Sequence, residues 1–123
     1  MLSFDETGAL LDELADSLPP ALLDGLTGGI ALLPEAKTHP DAHADDLYVM
    51  GEYCTDLLGR RIALYYGSFQ EICGNAPAEV WKKRLREVLL HELMHHAETR
   101  AGEHGLERRD EEDLRRYHAR RSQ

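Results

Sequence analysis

From Pro77 to Ala101 the chain runs for twenty-five residues with no glycine and no second proline. Within that run Trp81, Leu85, Val88, Leu89 and Leu93 recur at helical spacing and make one broad apolar stripe. Pro77 suits the first turn of a helix and Gly102 the residue just past its end, so the spacing predicts one long helix ending at about Ala101. Its apolar stripe has to be covered, and the rest of the chain has to supply the sheet that covers it.

The remaining segments read as follows. Ser3-Phe4-Asp5-Glu6 has the form of a capping box, and Leu10, Leu11, Leu14 and Leu18 continue it as a helix that Pro19-Pro20 stops. Pro20 opens a short second helix, PALLDGL, and a strand is expected from Gly29 to Leu33. Glu35 to Asp46 is polar and without period, which predicts a loop. Leu47 to Cys54 and Arg61 to Phe69 are rich in β-branched and aromatic residues and read as an antiparallel hairpin across TDLLGR. Asp110 to Arg121 is expected to be a last helix. Helices, a few strands, then helices suggest an α+β domain, with no repeat or linker to divide its 123 residues.

Glu92 falls inside the apolar stripe of the long helix, where a carboxylate without a partner would be costly. His91 and His95 lie at the edge of the same stripe, about 40° apart and one turn apart along the axis. Together they spell H-E-x-x-H. Imidazoles at i and i+4 can grip Zn2+, and the glutamate at i+1 can take the proton of a water activated by the metal, then hand it to a leaving amine. His96 falls near Leu85 and Leu89 and reads as a packed, hydrogen-bonded histidine. A weaker group, His39 and His43 with Asp41, Asp45 and Asp46, would need its loop to become ordered before it could bind a metal.

Charge and composition exclude several other classes. Fourteen basic residues against 23 acidic ones give a net charge of -9, which repels phosphate backbones. The two local basic runs, WKKRLRE and RRYHARRSQ, are interleaved at helical spacing as solvated faces would be. No apolar run reaches the roughly 20 residues of a membrane span, and the amino-terminal segment lacks a basic region followed by an apolar one. Two cysteines, Cys54 and Cys73, are too few for a disulfide framework. The expectation is a cytoplasmic protein with neither a nucleic-acid nor a membrane partner.

A leading helix, a hairpin ending in IALYYGSF and a helix carrying VLLHELMHH resemble the bacterial minimal zincins, compact metallopeptidases similar to a reduced matrix-metalloprotease core. The resemblance runs from Leu2 to about Tyr117. It implies a zincin-like fold, with a small mixed or antiparallel sheet on a long active-site helix. It also implies a zinc peptidase acting on a peptide or protein substrate, with His91 and His95 as ligands and Glu92 as general base.

One departure concerns the third ligand. Many minimal zincins continue the motif H-E-x-x-H-x-x-G-x-x-D, whereas Glu98 and Ala101 stand at those positions here. The candidates are Glu98, on the same helical face as the histidines, and Glu103, which could fold back after a turn at Gly102; both are favoured over His104. The strand from Arg61 to Tyr66 is the candidate for pairing with extended substrate, and Tyr65 or Tyr66 could line the cleft, although core packing suits either. Two other functions compete with peptide hydrolysis. One is a zincin-like binding or regulatory domain with a structural metal, and the other a metal-free interaction module.

Overall fold

The computed structural model describes residues 1–40, 47–57 and 59–104, the last two of these by their backbone alone. The expected last helix, and His43 with Asp41, Asp45 and Asp46, lie outside the described residues.

The first helix, α1 (Phe4–Asp16), begins as its sequence dictates. Ser3 Oγ accepts from Glu6 N at 3.0 Å, and Glu6 Oε1 accepts from Ser3 N at 2.8 Å. Leu11 and Leu14 are buried, with Leu10 and Leu18 packed beside them. A single 3-10 turn, Pro20–Leu23, leads to strand β1 (Gly29–Leu33). Next come β2 (Lys37–Thr38), β3 (Tyr48–Val49), β4 (Gly51–Asp56) and β5 (Gly59–Tyr65). Helices α2 (Tyr66–Cys73) and α3 (Ala78–His104) complete the described chain.

The fold is α+β, and its main sheet is mixed. The order is β1-β5-β4: β1 runs parallel to β5, with Ile30 opposite Ile62, and β4 runs antiparallel to it, with Tyr53 opposite Ile62. Strands β2 and β3 form a second, two-stranded sheet. The core lies between the main sheet and the helices. Ile62 and Leu64 meet Leu11, Leu14, Phe69, Trp81, Leu85, Leu89 and Leu93 there. Trp81 is fully buried while Lys82, Lys83, Arg84 and Arg86 on the next turn stay exposed, so the expected stripe is the buried face of α3. Among the described residues no helix is long and apolar enough to cross a membrane.

Three expectations are corrected. The second hairpin strand does not continue to Phe69; it ends at Tyr65, and Tyr66 opens α2. Tyr66, Phe69 and Cys73 stand at i, i+3 and i+7, so one helical face carries them into the core. Gly67 permits that turn, because a Cβ there would sit 2.4 Å from the Ala36 nitrogen. The segment from Glu35 is not wholly irregular either, since Lys37–Thr38 pairs with Tyr48–Val49. Finally, α3 does not stop at Ala101. Its backbone passes through Gly102 in helical conformation to His104, and the expected left-handed turn is not formed. Backbone hydrogen bonding in an unbroken helix is cooperative, and one glycine costs only about 1 kcal/mol against it.

Candidate metal centre

The site is built on the middle of α3, where β4 crosses it. Gly51 is the point of closest approach: a Cβ built there would lie 2.7 Å from Val88 Cγ1 and 3.4 Å from Glu92 Cγ. Two residues on, the Tyr53 hydroxyl pairs with His96 Nδ1 at 2.8 Å. The other ring nitrogen of His96 donates to the Asp24 carbonyl at 2.7 Å, since a carbonyl can only accept. His96 is 1% exposed and thus joins α3, β4 and the turn before β1, in keeping with its reading as a packed histidine. With β4 held over Val88, Glu92 and His96, the neighbouring line of the helix carries His91, which is exposed, and His95, which is half-buried.

His91 and His95 converge. Their Nε2 atoms are 3.2 Å apart and their rings meet edge to face at 4.7 Å between centroids. Two nitrogens bound to one tetrahedral zinc, each at 2.0–2.1 Å, would be separated by about 3.3 Å. The separation of the pair therefore matches that of two nitrogens sharing one zinc. Zinc also suits the chemistry of the donors, because a borderline-soft cation takes imidazole readily.

Glu92 lies beside them and is only 7% exposed. Burial pushes its carboxyl above the ordinary value; His91 and His95 oppose that rise, and the Glu52 carboxylate adds to it. Glu52 itself behaves in the opposite way. It accepts from Lys37 Nζ at 2.7 Å and from the Tyr65 hydroxyl at 2.6 Å, and these bonds hold its carboxyl below the usual range. Tyr65 is thus tied to Glu52, while Tyr66 packs on Trp81 and donates to the Leu2 carbonyl at 2.6 Å.

Of the two favoured third ligands, Glu98 is in the neighbourhood. Its Oε1 lies 3.4 Å from His95 Nδ1, the ring nitrogen turned away from His91. The backbone of Glu103 continues the helix about 12 Å along the axis beyond His95, and does not fold back. Its side chain and that of His104 lie outside the described residues. Among the described residues no three His, Cys, Asp or Glu side chains form a group able to hold a metal. The assignment of an edge strand also changes: among the described residues β5 is the central strand, paired on both sides, and β4 is the edge strand that packs on α3. Gly51 and Tyr53 were not foreseen as parts of the site. The glycine inside LYVMGEYC was the available signal, since such a residue in a strand marks a close backbone approach.

A conserved hypothetical protein from Thermo thermophilus has a similar solved structure, with a TM-score of 0.72 and 34% sequence identity over 82% of this chain and 99% of that one. No curated protein matches the chain. Residues 48–119, which include β3, β4, β5, α2 and α3, match the zincin-like metallopeptidase family. With that match spanning more than half of its length, the chain belongs to the zincin-like metallopeptidase family.

Proposed function

We propose that the protein is a zinc-dependent peptidase in which His91 and His95 hold the metal and Glu92 is the general base. One observation carries the reading: two imidazole nitrogens converge 3.2 Å apart on the turn that also bears a buried glutamate. Zinc, when bound, supplies Lewis-acid polarisation of a carbonyl and makes water a better nucleophile at neutral pH. The chain's own residues do the rest. Glu92 takes the proton from the attacking water and returns it to the leaving amine. Among the described residues β4 is an edge strand, and it would offer backbone hydrogen bonds to an extended peptide lying along the His91–His95 line of α3. Gly51 keeps that edge close to Glu92.

The test is Glu92→Gln. The amide preserves shape but cannot accept the proton, so zinc content should stay near that of the wild type while cleavage of a peptide library, scored by mass spectrometry, falls by about 10²- to 10⁴-fold. Undiminished cleavage by the variant would overturn the role of Glu92. A wild-type protein that holds zinc and cleaves nothing would be a zincin-like binding domain.

A further inference from the structure

The two nitrogens of His95 face different partners. Nε2 faces His91 at 3.2 Å, and Nδ1 faces Glu98 Oε1 at 3.4 Å. A carboxylate has no proton to give, so Nδ1–H donates and Glu98 accepts. That hydrogen bond selects the tautomer whose Nε2 carries a free lone pair, the form a metal needs. The Glu98 side chain is only 15% exposed. A carboxylate withdrawn that far from water needs partners, and the His95 ring edge is one of them.

We infer that Glu98 is a positioning residue of this site: it fixes the tautomer and ring orientation of His95 from behind and does not itself bind the metal. This rests on the zinc reading given above. Helix geometry supports it. Glu98 follows His95 by three residues, and helical side chains lean toward the amino terminus, which lays the carboxylate on the outer edge of the His95 ring. The space between the two Nε2 atoms lies on the opposite side of that ring. A carboxylate on the second nitrogen of a metal-ligating histidine raises the basicity of the ligand and holds its plane.

Three variants of the full chain separate this role from ligation. Zinc affinity, measured by competition with a chelator, should fall by about 10- to 100-fold in Glu98→Ala. In Glu98→Gln, whose amide oxygen still accepts from Nδ1–H, affinity should stay within about threefold of the wild type, and His95→Ala should lose the site. With cobalt in place of zinc, the visible spectrum of Glu98→Gln should match that of the wild type. Nitrogen-15 shifts of the metal-free protein give an independent reading, with His95 in its Nδ1–H tautomer in the wild type and Gln variant but not in Glu98→Ala.

Glu98→Gln binding as weakly as Glu98→Ala, with an altered cobalt spectrum, would make Glu98 a ligand and overturn the inference. Equal zinc affinity in all three Glu98 forms would overturn it too. A wild type that binds no zinc defeats the peptidase reading as well, whereas the nitrogen-15 result bears on the Glu98–His95 bond alone.

Discussion

Glu92 and Glu52 are carboxylates on neighbouring elements, and their surroundings push them in opposite directions. Glu92 is buried against β4, whereas Glu52 accepts two strong hydrogen bonds at the surface of the sheet. The sign of each shift sets its effect. Because the Glu52 carboxyl is depressed in the folded protein, its contribution to stability is present above the ordinary carboxylate pKa and is lost as pH falls through the depressed value. Glu52→Gln should remove that part of the acid-side slope. The effect should be small, at most about 1 kcal/mol, since the Lys37–Glu52 pair is partly exposed and screened by solvent. Urea denaturation of both proteins at about pH 6 and about pH 3 measures it; an unchanged slope in the variant would show that the pair contributes nothing to folding. Of these residues the sequence made Glu92 legible, because it broke an apolar stripe between two histidines. Glu52, Lys37 and Tyr65 were not legible as a group, since 15 residues separate Lys37 from Glu52 and 13 more reach Tyr65.

At the scale of elements, the crossing of β4 and α3 sets the geometry of the site. Gly51→Ala would place a methyl group 2.7 Å from Val88 Cγ1, inside any allowed contact. Strand or helix must then move, at a cost of about 1–3 kcal/mol. The edge of β4 would move away from Glu92, and peptide turnover should fall with stability. Shortening the neighbour gives the control: Gly51→Ala with Val88→Ala should recover part of both losses, and additive losses in the double variant would mean that the two residues are not coupled. The helices were largely legible because capping and apolar spacing are local signals, as in Ser3–Glu6 and Trp81–Leu93. The errors fell where a local signal was ambiguous. Tyr66 to Phe69 has the composition of a strand but the spacing of a helix, and the pairing of Lys37–Thr38 depends on residues about ten positions away. Gly102 has the identity of a helix terminator, yet the hydrogen-bonded helix carries through it.

For the whole molecule, the sheet order decides which strand packs on the long helix. Among the described residues β5 is the central strand of the main sheet and β4 an edge strand that packs on α3, while β1 forms the other edge and α1 adds Leu11 and Leu14 to the core. The mixed sheet could not be read from the strand segments alone, because β1 joins β5 in parallel across a long separation in sequence. Zinc binding between His91 and His95 is tested most directly by anomalous diffraction at the zinc edge from crystals of the zinc-loaded protein. A single strong peak is expected about 2.0–2.1 Å from both Nε2 atoms, lost when either histidine becomes alanine. A peak at any other group of residues, with none at His91 and His95, would contradict it.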